Sequence, residues 1–285
     1  MSELKNRYEF VMLFDVENGN PNGDPDAGNM PRVDIESNLG IVTDVCLKRK
    51  IRNYVQLIKE GEPRFNILVK NDESLNSKFA RIYEENNLKT GQKGANKNDV
   101  VAARDFACQN FYDVRTFGFV MSTGDDPCGI VRGPVQINFA RSVDPIFPQE
   151  LTITRQAITS DKDFLKKENE MGKKNIVPYA LYRAEGYVQS ILANKTGFDE
   201  QDLELLWQSI LNMFENDHSS ARGKMCMRKL IIFKHASLLG NAPSHKLFEL
   251  VKIVKKDENK VARNYSDYDI SISAELPEGV EITER

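Results

Sequence analysis

The chain has 285 residues, 40% of them hydrophobic, with 39 basic and 42 acidic side chains and a net charge of −3. That length permits one large domain or two ordinary ones, and the charge balance excludes a globally basic nucleic-acid binder, so any such contact must rest on local charge. With no run of 18 apolar residues and a mean hydropathy of −0.48, a membrane-spanning helix is excluded.

Met1–Asn6 lacks the apolar stretch of a signal peptide, so the cytoplasm is the expected location. Cys46, Cys108, Cys128 and Cys226, with His218, His235 and His245, have no metal-clip spacing. No transition-metal site is expected, and the absence of a P-loop or dinucleotide fingerprint argues against a cofactor.

Tyr8–Val16 is apolar and aromatic and reads as a buried strand. The segment Glu17–Pro31 that follows is dense in Gly, Pro, Asn and Asp and reads as a long loop. Thr43 is a helix N-cap with Asp44 in the first turn. From there to about Lys59, Leu47, Ile51, Tyr54, Val55 and Ile58 recur at helical spacing, and Gly61-Glu62-Pro63 stops the helix. Phe65–Lys70 reads as a short strand and residues 72–98 as polar with helical patches.

A second helix is expected from Asn98 or Asp99 to about Val114, then strands over Phe117–Met121 and Val131–Arg141. Residues 151–188 read as a long hairpin with arms Leu151–Arg155 and Ile176–Arg183 around a polar, lysine-rich tip. A helix over Asp199–Phe214 and strands over Leu230–Lys234, Phe248–Val254 and Tyr268–Ser273 complete the chain. Without the insertions the order is β-α-β-β-α-β, an α+β, ferredoxin-like or RRM plan. No RNP1 aromatic motif accompanies it, so reading of bases on an RRM sheet face is not expected.

Four places could carry function. In the loop, Asn18, Asn20 and Asn22 superficially match an EF-hand. Asn29 stands where the last carboxylate belongs and the first ligand is not Asp, so calcium is not expected. The loop is either a surface Asx turn or a glycine-permitted approach to phosphates. In the first helix, Lys48, Arg49 and Arg52 form a compact basic edge suited to following a phosphate backbone without reading bases. Residues 222–229, with Arg222, Lys224 and Arg228, are either a solvated loop leading into the next strand or a second phosphate contact. Asp24, Asp26 and Asp34 could gather a divalent metal for RNA cleavage.

Phe14-Asp15-Val16-Glu17-Asn18-Gly19-Asn20-Pro21-Asn22-Gly23-Asp24-Pro25-Asp26 resembles the N-terminal signature of the Cascade backbone subunit of type I CRISPR systems (RAMP superfamily), most of all subtype I-C. Gly40 through Arg52, Arg132–Gln136 and Ile176–Ala184 resemble further signatures of that family. The resemblance implies a modified RRM palm, a helical finger insertion near 72–115 and a hairpin thumb near 151–180, within one domain over 1–285. It implies a non-catalytic subunit that polymerises head to tail along crRNA and leaves bases free to pair with target DNA. The implied partners are other copies of the chain, a 5′-handle-binding processing subunit, the large and small subunits and, indirectly, a helicase-nuclease.

By the same resemblance Lys48, Arg49 and Arg52 would contact guide phosphates. Arg32, Arg155, Gln156, Lys173 and Lys174 would add contacts at the palm and thumb. Related type III subunits cleave target RNA with an aspartate after the first strand, so a metal-dependent RNA endonuclease is the alternative.

Overall fold

The computed structural model describes residues 2–89, 96–122, 126–155 and 170–285. Its strands are β1 (Tyr8–Gly19), β2 (Gly23–Asp24), β3 (Met30–Pro31), β4 (Leu39–Val42), β5 (Gly118–Met121), β6 (Gly129–Arg132), β7 (Val135–Ile137), β8 (Ala140–Pro145), β9 (Gln149–Arg155), β10 (Glu170–Val188), β11 (Lys224–His235), β12 (Val251–Lys255), β13 (Tyr268–Ile272) and β14 (Val280–Glu284). Its helices are α1 (Asp44–Ile58), α2 (Leu75–Glu85), α3 (Lys97–Asn110), α4 (Tyr112–Phe117), α5 (Ser190–Thr196), α6 (Glu200–Asn212) and α7 (Ser244–Glu249).

One mixed α/β body forms around a large antiparallel sheet ordered β14-β11-β1-β10-β8-β4, with β7 and β9 also on β10. Within it β11-β1-β10-β8, together with α1 and α6, is the β-α-β-β-α-β plan. β1 is largely apolar from Phe10 to Phe14 because both of its faces are covered, and the carboxylates that flank this run, Glu9 and Asp15, are buried in ion pairs. Phe10, Met12, Phe14 and Val16 meet Leu47 and Ile51 of α1 and Leu206, Trp207 and Ile210 of α6. Val11 and Leu13 face a second cluster with Leu247 and Phe248 at α7 and Val251 of β12. Successive side chains of a strand point to opposite faces, so a helix layer and an α7/β12/β13 layer share this one strand.

Several expected elements differ. Residues 65–70 form no strand: after a 3-10 turn at Pro63–Phe65 the backbone is satisfied by side chains instead of a ladder. Asp113 accepts from Leu68 N and Val69 N at 2.9 and 3.0 Å, and Lys78 donates to Leu68 O and Lys70 O at 2.8 and 3.0 Å. The second expected helix breaks at Phe111, where Tyr112 N turns away to donate to Asn66 O at 2.9 Å. The expected strand 131–141 is three strands, because β6 pairs with β5 before Gly133-Pro134, while β7 and β8 join β10. Helices α2, α3 and α4 with β5 and β6 have a core of their own, which includes Leu68, Phe79, Tyr83, Cys108 and Val131.

The hairpin is paired differently from expectation. β9 pairs with Glu170–Ile176, and the residues that follow pass straight into the main sheet against β1. Nineteen residues at about 3.3 Å each make β10 roughly 60 Å long, enough to serve both roles. Lys173 and Lys174 therefore lie in a strand, not in the tip. β11 begins at Lys224, so Lys224 and Arg228 are strand residues and not loop residues. The expected strand at 248–254 is the end of α7 followed by β12. β4, α5 and β14 were not anticipated.

Candidate nucleic-acid interface

Three segments far apart in sequence meet at one end of β1. Asn18 takes the left-handed region at φ 50° and is exposed. Gly19 lies against the backbone of Arg222, so close that a Cβ there would fall 1.7 Å from the Arg222 carbonyl oxygen. Gly223, at φ 62°, lies against the Asn18 backbone, where a Cβ would fall 2.4 Å from the carbonyl oxygen, and Asn20 N donates to Ala221 O at 2.8 Å. Glycine is the residue type that permits this approach.

The rest of the loop is tied to α1. Asn22 Oδ1 accepts from both Thr43 N (2.9 Å) and Thr43 Oγ1 (3.0 Å), and the buried Asn20 donates its amide to Asn29 O at 2.7 Å. The Cys46 thiol reaches Pro21 O at 3.6 Å. Asn20 and Asn22 thus shape the loop, while Asn18 faces outward.

The basic helix divides into two groups. Lys48 pairs with Asp44 at 2.8 Å, and its ammonium lies 5.7 Å from the centre of the Phe117 ring. Arg52 covers the same ring at 5.2 Å but is buried, its Nε donating to Asp113 at 2.9 Å. The compact edge of Lys48, Arg49 and Arg52 is therefore corrected: Arg52 is turned inward and its charge is matched within the protein.

Arg49 is exposed, and among the described residues no carboxylate pairs with it. Lys50, which sequence reasoning passed over, is fully buried, with its Nζ on the carboxylate of Asp217 and 5.5 Å from the centre of the Phe214 ring. Arg222 donates to the same Asp217 oxygen. Burial pushes the Lys50 ammonium down to about 7, and Arg222 and Arg49 pull in the same direction against the opposing effect of Cys46. Burial and Arg49 also lower Arg222. Two basic groups thus share one carboxylate with Arg49 near enough to act on both, the arrangement that favours an added anion.

Residues 6–273 match the family described as CRISPR-associated protein Cas7. The chain belongs to the Cas7 family. It is 24% identical over 225 residues to the CRISPR-associated protein Cas7 of Haloferax volcanii, covering 73% of this chain and 65% of that protein, so it spans less than two thirds of this curated relative. Among solved structures it is similar to a chain of a CRISPR RNA-guided surveillance complex in a pre-nicking state, at 15% identity and TM-score 0.49 over 80% of this chain and 78% of that one. It is also similar to a chain of the Type III-B Cmr-beta complex bound to cognate target RNA, at 11% identity and TM-score 0.43 over 80% and 61%.

Elsewhere in this Cas7-family chain four of the candidate cations each pair with a carboxylate of their own. Arg32 pairs with Asp24 at 3.3 Å, Lys224 with Glu17 at 3.3 Å and Lys173 with Glu150 at 2.7 Å. Arg228 pairs with Asp15 at 2.9 Å and covers the Tyr265 ring at 5.5 Å. Burial raises Asp15 even so. Lys174 is half-buried opposite Leu151. The backbone of Arg155 pairs with Glu170, and Gln156 lies outside the described residues.

The aspartates weighed for metal binding are dispersed. Asp24 caps Asp26 N and pairs with Arg32, while Asp34 caps Glu36 N and Ser37 N and pairs with Arg141 at 2.8 Å. Among the described residues no group of three or more His, Cys, Asp or Glu side chains could hold a metal ion, and no helix is long and apolar enough to cross a membrane. A signal for Lys50 did exist in the sequence: it stands four residues after Cys46 and three after Leu47, on the flank of the apolar stripe, where a lysine must find a buried partner.

Proposed function

We propose that this chain grips the sugar-phosphate backbone of crRNA as a repeated, non-catalytic subunit of a CRISPR surveillance complex of the type I, subtype I-C kind. The observation that carries this reading is the pairing of Lys50 and Arg222 with the single carboxylate of Asp217, beside an exposed Arg49 that acts on both. It sits where the glycine-permitted loop after β1 meets α1. A local positive excess on a protein of net charge −3 suits phosphates and carries no base-specific information. Asn18 and Lys48 flank the site and extend the path.

In this reading the α2–α4 body with its own core is the finger, the β9–β10 hairpin is the thumb, and both are insertions in one domain. Copies stack head to tail along the guide, since a heterologous contact that does not close builds a helix. The bases left free pair with target DNA. The processing, large and small subunits cap and flank the filament, and a helicase-nuclease acts on the assembled complex. The RNA endonuclease alternative finds no support in the dispersed Asp24, Asp26 and Asp34.

The test is size-exclusion chromatography with and without a guide-length RNA, followed by analysis of the RNA. A shift to a large oligomer on intact RNA, lost in Arg49→Ala/Arg222→Ala, supports the reading. A monomer that ignores RNA, or RNA cut at intervals, overturns it.

A further inference from the structure

The cations that could meet RNA are mostly already occupied, and one of them in a particular way. Asp217 lies in the irregular stretch between α6 and β11, outside any strand ladder or helix. Its carboxylate takes the Nζ of a fully buried lysine and a guanidinium N–H of Arg222. The frame around it is carried by other segments: Gly19 and Gly223 pack the backbones of 18–19 and 222–223 together, and Lys50 is held in α1. Arg49 adds a third basic group, with no carboxylate paired to it among the described residues. Two donors on a rigid frame, aimed at one anionic oxygen beside an exposed arginine, form an anion seat that the chain fills itself.

We infer that Asp217 is a built-in stand-in for a backbone phosphate, and that RNA takes the seat by displacing its carboxylate from Lys50 and Arg222. The inference rests on the proposed RNA-binding function for the identity of the displacing anion; the seat itself rests on the contacts above. Displacement asks for movement of the partly exposed Asp217 side chain and not of the helix or the packed backbones that carry Lys50 and Arg222. The exchange trades one anion for another, so isolated anions and stray RNA gain little. A guide that also engages Arg49 and further contacts along its length repays the exchange. Asp217 is thereby a specificity-determining residue: it weakens every RNA contact at this seat and leaves long, multiply engaged RNA bound.

The test combines fluorescence anisotropy with a labelled guide-length RNA and thermal unfolding with and without sodium sulfate, on wild type, Asp217→Asn and Arg49→Ala. Asp217→Asn is expected to bind RNA about tenfold tighter, the scale of one charge-assisted contact, with its largest gain on short RNA. Sulfate is expected to raise its melting temperature and leave that of wild type nearly unchanged. If Asp217→Asn is unfolded in dilute buffer, sulfate must restore the wild-type circular dichroism. Unchanged or weaker RNA binding by Asp217→Asn, while Arg49→Ala loses affinity, overturns the stand-in and leaves the RNA-binding reading intact. If no variant alters RNA binding, that reading fails, and the sulfate arm decides the seat alone: a response confined to Asp217→Asn sustains it, and none removes it.

Discussion

Arg52 and Asp113, 61 positions apart in the chain, form a buried ion pair with Nε to Oδ2 at 2.9 Å. Asp113 also accepts from the backbone of Leu68 and Val69, so this one carboxylate joins α1 to the turn before α2. Removing one partner of a buried pair strands the other charge. Arg52→Ala is expected to cost about 3–5 kcal/mol, read as a lowered denaturant midpoint. A stability close to wild type would show that Arg52 faces solvent and is available to RNA.

Asn22 holds the loop to the start of α1 through its double acceptance from Thr43. In Asn22→Ala a part-buried backbone N–H loses its partner, at a cost of about 1–3 kcal/mol. Unfolding by urea measures this, and hydrogen exchange at the Thr43 amide is expected to accelerate with it.

Gly223→Ala places a Cβ at φ 62°, 2.4 Å from the Asn18 carbonyl oxygen. The left-handed conformation and the clash together are expected to cost about 1–3 kcal/mol. Because the shift separates Asn18 from Arg222, RNA affinity is expected to fall in a variant still folded at the assay temperature. Calorimetric unfolding and RNA titration together check both.

Asp34 is held down to about 2 by its bond from Arg141, assisted by the N–H groups of Ser37 and Glu36. A carboxylate lowered in the folded state adds stability above its unfolded value of about 4 and loses it as pH falls toward 2. A carbon-detected NMR titration is expected to place the Asp34 midpoint near 2, and Arg141→Gln is expected to move it upward. A midpoint near 4 in the wild type would mean that the turn at 34–38 is open in solution.

For the RNA contact itself, log affinity is expected to fall linearly with log salt concentration. Arg49→Ala is expected to reduce the slope by about 0.7, the share of one single-strand phosphate. An unchanged slope would place Arg49 off the RNA path.

The plan of the fold was legible where local signals were strong. The both-face apolar run of Tyr8–Val16, the Thr43 cap with the periodic Leu47 and Ile51, and the Asp199-capped helix all appear at the expected places. The misses share a cause. Residues 65–70 read as extended but pair with the side chains of Asp113 and Lys78, and the partner of β9 was misplaced because a 19-residue strand carries two pairings in succession. Neither choice is written in local periodicity.

Residue type and spacing over a few positions suffice for the alternation of strands and helices, the glycine and asparagine loop after β1, and the clustering of basic residues in α1 and after α6. Which of those basic groups keep charge to offer depends on contacts between segments distant in the chain. Arg52 meets Asp113, Arg228 meets Asp15, and Lys50 and Arg222 share Asp217, while Arg49 meets no carboxylate among the described residues. A charge is spent or spare according to what lies within about 4 Å of it, and Lys50 and Asp217, 167 residues apart, become neighbours only when β1, α1 and the segment before β11 are folded together.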